Sequence, residues 1–74
     1  SQEEVQFLLE RLCVDLGFCL PPADQQQLAE NPPVDPIEFT NEVFRREGLS
    51  VEEAGLTMYR QVRDLVAEAF GQGG

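Results

Sequence analysis

Histidine and lysine are both absent from this chain of 74 residues, and each absence removes a class of chemistry. Without histidine, neither a serine–histidine nor a cysteine–histidine nucleophile pair can be assembled. Without lysine, and without a glycine-rich loop, the chain has no phosphate-binding site of the P-loop kind. The carboxylates occupy no apolar pocket that the sequence reveals, which argues against a hydrolase. We therefore expect a protein that is not an enzyme and holds no cofactor.

Positive charge is also scarce, because five arginines face fourteen aspartates and glutamates, for a net charge of −9. Nucleic acids and anionic membrane surfaces are bound through basic faces, so neither is expected as a partner. A basic protein would be attracted, and its association would be faster at low salt. The alternative is that the acidity serves only to keep a small protein soluble.

Only two cysteines are present, Cys13 and Cys19, with five residues between them. This spacing matches neither a redox Cys-x-x-Cys motif nor a zinc-binding pair, and no histidine could complete a metal site. We interpret both as buried, reduced thiols that pack as small apolar residues. The chain also lacks a signal-like segment and a long apolar run. The lack of both predicts a soluble, cytoplasmic protein, provided that no further segment precedes Ser1.

Apolar residues recur at three- and four-residue steps along most of the chain, which is the spacing of amphipathic helices. Glycine and proline divide the pattern into segments. We predict an all-α single-domain bundle of three main helices and one short helix. Their approximate ranges are 2–16, 22–30, 36–47 and 51–70. The domain would span 1–70, and 71–74 would form a flexible C-terminal tail.

The start of the third helix carries the clearest local pattern. Asp35 is placed to cap the helix, Pro36 suits its first position, and Glu38 has the spacing of a capping box. Val34 and Phe39 have the spacing of a hydrophobic staple across the same start.

The corner after this helix combines a stop with a new start. Gly48 supplies the left-handed residue that ends a helix, and Ser50 with Glu53 repeats the capping-box spacing. We expect Glu47 to accept a hydrogen bond from the N-terminus of the next helix. Gly55 falls within that next helix, where close packing by a neighbouring helix would explain it.

One flank of the last helix has the composition of a protein interface. Leu56, Tyr59, Arg63 and Phe70 lie mostly three to four residues apart, and aromatic residues with arginine are typical of interface cores. We predict this flank as a candidate partner surface. The alternative is that Tyr59 and Phe70 complete the core of the domain.

Phe7 and Val14 break the pattern of the first helix, because they project from the face opposite its leucines. Either a neighbouring helix covers them, or they form an exposed seam that pairs with a second copy of the chain. They are therefore the candidate dimer seam.

The functional hypothesis is a small, acidic, non-enzymatic module that acts by binding another protein. Two alternatives are an obligate homodimer with a structural role and an acidic nucleic-acid mimic, or immunity-type inhibitor, of a basic protein. Steep salt dependence of binding would favour the mimic. A small-ligand carrier would require an internal cavity.

Overall fold

The computed structural model describes residues 1–73, with the side chains of residues 1–71, and within this range the fold is all-α without strands. Five helices follow one another: α1 (Gln2–Leu16), α2 (Pro22–Glu30), α3 (Pro36–Glu47), α4 (Val51–Ala54) and α5 (Leu56–Gly73). The predicted fold class is confirmed. In the described part of the chain, no helix has both the length and the apolarity needed to cross a bilayer.

The first three helices have the predicted bounds, and Asp35 and Gly48 begin and end α3 as predicted. Gly17 and Gly48 adopt left-handed conformations, with φ of 76° and 69°, and end α1 and α3. The backbone N–H of Leu49 then donates to the carbonyl of Phe44 at 3.1 Å. At the start of α3, a carboxylate oxygen of Asp35 accepts from two backbone N–H groups at 3.0 Å. These bonds satisfy groups that helix ends leave without partners.

Two details predicted at the start of α3 are wrong. Asp35 caps the helix alone, because the side chain of Glu38 does not return the bond that a capping box requires. Val34 is 89% exposed, so the hydrophobic staple to Phe39 does not form. Phe39 is instead fully buried and packs edge-on against Phe70, with ring centroids 5.5 Å apart.

The predicted fourth helix is two helices, because the chain breaks at Gly55 with φ of 91° and ψ of 149°. Close packing does not explain this glycine, since a Cβ built on it would meet no atom within 4 Å. The backbone conformation explains the glycine, because residues with a side chain rarely adopt this conformation. Helix α5 continues to Gly73, past the predicted end at Phe70. Whether 71–74 is flexible stays a prediction, and Gly74 lies outside the described residues.

One apolar core joins the helices. Helix α1 packs on α2 and α5, and α3 packs on α5. The buried members are Leu8, Leu9, Leu12, Phe18, Leu20, Leu28, Phe39, Val43, Phe44, Val62 and Val66. Ile37 is apolar but 45% exposed, and lies on the solvent side of the first turn of α3.

Cys13 and Cys19 form a disulfide, so the prediction of buried, reduced thiols is wrong. Cys13 is half-buried and Cys19 is exposed. The left-handed turn at Gly17 reverses the chain after α1 and brings the two Cα atoms within 4.3 Å of each other. The bond closes a short loop that contains Phe18, and both Phe18 and Leu20, which follows the loop, belong to the core.

Arg46 joins α3 to α2 through an ion-pair network. Its Nε donates to Glu42 at 2.7 Å, as the four-residue spacing predicts, and its Nη1 donates to Asp24 at 2.8 Å and Gln27 at 2.9 Å. Burial lowers the pKa of Arg46, but the hydrogen bonds to Asp24 and Glu42 outweigh it and raise that pKa overall. The side chains of Arg46 and Glu42 are only 21% and 16% exposed, so the network is less screened by solvent than a surface pair.

Candidate interaction surface

Two members of the predicted partner surface pack against the core. The ring of Tyr59 lies 5.3 Å from that of Phe44, and its hydroxyl donates to Oδ1 of Asn41 at 2.8 Å. Phe70 packs against Phe39. Both side chains therefore pack within the domain, as the alternative predicted when it assigned Tyr59 and Phe70 to the core.

The other two members are more accessible. Leu56 is 54% exposed, and Arg63 is half-buried with its guanidinium bonded to the adjacent Asp64 at 2.9 Å. The structure thus does not bring the four residues together as one uncovered apolar patch. A partner surface on this flank of α5 stays a prediction, with Leu56 as its most exposed apolar residue.

The exposed face of α1 carries apolar side chains that are more exposed than Leu56 on the flank of α5. Phe7 is 64% exposed and Val14 is 75% exposed, whereas Leu8, Leu9 and Leu12 of the same helix are buried. No neighbouring helix of the described chain covers the pair, so that alternative is wrong.

Glu10 is also exposed and lies between Phe7 and Val14 on the same face of the helix. We call these three residues, Phe7, Glu10 and Val14, the α1 seam. The sequence interpretation missed Glu10, although its spacing from Phe7 and Val14, at i, i+3 and i+7, was visible.

A groove of about 530 Å³ runs beside the α1 seam, between α1 and α2. Its lining residues are Gln2, Gln6, Glu10, Cys13, Val14, Pro22, Gln25, Gln26 and Glu30. Glu10 and Val14 belong to both the groove and the seam. The lining includes two carboxylates and several side-chain amides but no cation, so it offers hydrogen-bond acceptors and negative charge to a ligand.

The few cations of the chain are mostly neutralised inside it. Arg11 pairs with Asp15 at 3.4 Å, Arg45 and Arg46 both bond to Glu42, and Arg63 bonds to Asp64. Among the described residues, no ion pair involves Glu10 or Glu30. The seam and the groove therefore present uncompensated carboxylates beside exposed apolar side chains.

A second cleft, of about 250 Å³, lies where the start of α1 meets the α2–α3 loop and α5. It is lined by Ser1, Glu4, Val5, Leu8, Pro32, Pro33, Val34, Ala69 and Phe70. Ser1 and Val34 are exposed, so this cleft lies at the surface. It does not supply the internal cavity that a small-ligand carrier would need.

The carboxyl groups with shifted pKa values have structural causes. Hydrogen bonds from Arg45 and Arg46 outweigh burial and lower the pKa of Glu42. The pKa of Glu53 is lowered because its side chain accepts from the backbone N–H of Ser50 in the predicted capping box. Ser50 and Glu53 thus fill the role predicted for Glu47, whose Oε1 is buried without a hydrogen-bond partner. Among the described residues, no group of three potential ligands could hold a metal ion.

The described surface offers a partner three features, which are the α1 seam, the groove beside it and the charge around them. These are surface features, and none of them is tied by its geometry to a particular reaction. No protein-family model matches the chain, and no significant match to a curated protein or to a solved structure was found.

Proposed function

We propose that this protein is a small acidic module that acts by binding another protein rather than by catalysis. The observation that carries the proposal is the exposure of Phe7 and Val14 on a helix whose leucines are buried. An apolar patch with a polar rim is a common property of protein interaction sites. The polar rim here includes Glu10 and the amide-rich groove between α1 and α2.

The negative net charge of the protein supports the proposal that its partner is basic. The net charge of −9 would speed the encounter with a positively charged protein, and this effect would weaken as salt is added. An inhibitor that mimics nucleic acid is a special case of the same proposal, since its target is also basic.

The two carboxyl groups with shifted pKa values support a non-enzymatic role. A general acid that works near neutral pH needs a carboxyl group with a raised pKa. The pKa values of Glu42 and Glu53 are instead lowered, by bonds that hold α3 together and cap α4. Their environments suit structural roles.

A homodimer is the second candidate, because Phe7 and Val14 could pair across a two-fold axis. Its two copies would each carry a charge of −9 and would repel one another. Sedimentation at micromolar concentration separates the two candidates. A species of 8.3 kDa would eliminate the homodimer.

We further propose that the module works where its disulfide persists, in an oxidising compartment. The cytoplasmic prediction rests on the lack of a signal-like segment and of a long apolar run, whereas the disulfide favours an oxidising compartment. Alkylation of the protein from its natural source, followed by mass measurement, tests this proposal. Two blocked thiols would restore the cytoplasmic prediction.

The main proposal is tested by affinity capture followed by reconstitution. A partner captured by the wild type should form a complex of defined stoichiometry once both proteins are purified. The variant Phe7→Ser/Val14→Ser should weaken that complex by about tenfold or more. Leu56→Ser is the matched control on the competing flank. Failure to reconstitute any complex would refute the proposal.

A further inference from the structure

The α1 seam has the spacing that a partner helix would match. Phe7, Glu10 and Val14 occupy positions i, i+3 and i+7, which are successive positions of a helix–helix seam. Phe7 and Val14 are thus separated by about 10.5 Å along the helix axis. Apolar side chains seven residues apart on another helix have the same separation, and could pack on both.

Charge complementarity then determines what kind of helix fits. Glu10 lies on the groove side of the seam, Glu30 lies across the groove, and neither has an ion-pair partner within the described chain. On the other side of the seam, Arg11 is paired with Asp15 at 3.4 Å. A partner that covered Glu10 without supplying a cation would bury an unpaired charge, which is costly.

A second copy is poorly suited to supply that cation. The chain has no lysine, and four of its five arginines are already in ion pairs with Asp15, Glu42, Asp24 or Asp64. The copy would also carry its own net charge of −9 toward the same surface.

We infer that the α1 seam and the adjoining groove bind a basic amphipathic helix of another protein. Its apolar side chains pack on Phe7 and Val14, and a lysine or arginine between them pairs with Glu10. Basic side chains on the groove side of the helix reach Glu30 and the glutamines of the lining. This inference rests on the proposed function and specifies its partner and surface.

Three synthetic peptides of about three heptads serve as probes. The first has leucine at the first and fourth position of each heptad and lysine at most other positions. The second has the same composition in an order that forms no one-sided apolar stripe. The third has glutamate in place of lysine. Each is titrated into the isotopically labelled protein, and the amide shifts and the dissociation constant are measured.

The first peptide should bind more tightly than the other two and become helical, with the largest amide shifts at Phe7, Glu10 and Val14. Phe7→Ser/Val14→Ser should weaken its binding by about tenfold, whereas Leu56→Ser should change it by less than about twofold.

Charge is tested with a second matched pair of variants. Glu10→Gln/Glu30→Gln should weaken binding and flatten its salt dependence. Glu38→Gln/Glu52→Gln removes the same charge from exposed positions on α3 and α4, and should have a smaller effect.

Three results would overturn the inference. One is that the second peptide binds as tightly as the first, with no effect of Phe7→Ser/Val14→Ser or of Glu10→Gln/Glu30→Gln. That result would show that only the net charge attracts the peptide. Shifts centred on Leu56 and Arg63 would move the site to α5 and leave the proposed function intact. A wild-type dimer that Phe7→Ser/Val14→Ser dissociates would mean that a second copy covers the seam. Failure of the proposed function is distinct, since it requires that no protein complex be reconstituted.

Discussion

At the scale of single residues, Gly55 determines where the last helical segment divides. Its φ of 91° and ψ of 149° lie close to a region that only glycine populates freely. The space around it is open, so any cost of a side chain comes from the backbone and not from a clash.

Gly55→Ala should therefore lower the free energy of unfolding by about 1–3 kcal/mol. Urea denaturation followed by circular dichroism measures this change. Gly71→Ala is the control, because Gly71 lies within α5 at an ordinary φ, and alanine there should stabilise by up to ~1 kcal/mol. A neutral Gly55→Ala with increased helix content would instead show that α4 and α5 can merge into one helix.

Glu42 gives stability a dependence on pH. Its pKa in the folded protein is lowered from the ordinary value of 4.5, chiefly by the hydrogen bonds from Arg45. The unfolded chain thus binds more protons than the folded chain below about pH 4.5. The contribution of Glu42 is complete above that pH and is lost as pH falls through the lowered pKa.

Glu42→Gln should destabilise the protein by about 1–2 kcal/mol at neutral pH, and the difference from wild type should shrink below about pH 4.5. Urea denaturation across this range measures it. Glu10→Gln makes the same change in net charge without breaking an ion pair, and should stay within about 0.5 kcal/mol at neutral pH. A difference for Glu42→Gln that persists unchanged in acid would argue against the assigned cause.

At the scale of elements, the disulfide holds the end of α1 to the segment that leads into α2. The bonded residues are six positions apart, and the loop that they close contains Phe18, whose ring lies 4.9 Å from Phe44. Breaking the bond releases the loop from a constraint that acts mainly on the unfolded chain.

Reduction should lower the free energy of unfolding by about 2 kcal/mol, as expected for so short a loop. Thermal denaturation with and without a dithiol reductant is the measurement. Cys13→Ser/Cys19→Ser should be destabilised to a similar degree and should not respond further to the reductant. An unchanged midpoint for reduced wild type would mean that the bond does not constrain the unfolded chain enough to affect stability.

Local sequence patterns sufficed for the bounds of α1, α2 and α3, because capping residues act within a few positions of themselves. Asp35 and Gly48 are examples. The same patterns could not reveal the disulfide, since the proximity of Cys13 and Cys19 arises from the turn at Gly17. Helix propensity marks Gly55 as unfavourable, but propensity alone does not distinguish a tolerated glycine from a break.

Predictions of the surface were limited for a related reason. Spacing places Tyr59 and Phe70 on one flank of a helix, but only tertiary packing shows that both contact core phenylalanines. Spacing also shows that Phe7 and Val14 depart from the pattern of α1, but their exposure depends on where the other helices pack.

At the scale of the whole molecule, residues that stabilise the fold are separate from those proposed to bind. Phe7→Ser/Val14→Ser should change the free energy of unfolding by no more than about 0.5 kcal/mol per site, since both side chains are already exposed. Leu12→Ala should cost about 2–5 kcal/mol, because Leu12 is 1% exposed. Urea denaturation of both variants measures the contrast. Strong destabilisation by the seam variant would place Phe7 and Val14 in the core.

The contact of Tyr59 with Phe44 and Asn41 also gives the molecule an internal optical probe. The chain has one tyrosine and no tryptophan, so its intrinsic fluorescence arises largely from a ring held between α3 and α5. Far-ultraviolet dichroism, by contrast, reports all the helices together. Because one core joins them, the two transitions should coincide during unfolding. Separation of α3 from α5 can therefore be followed in the unmodified protein, without an added label.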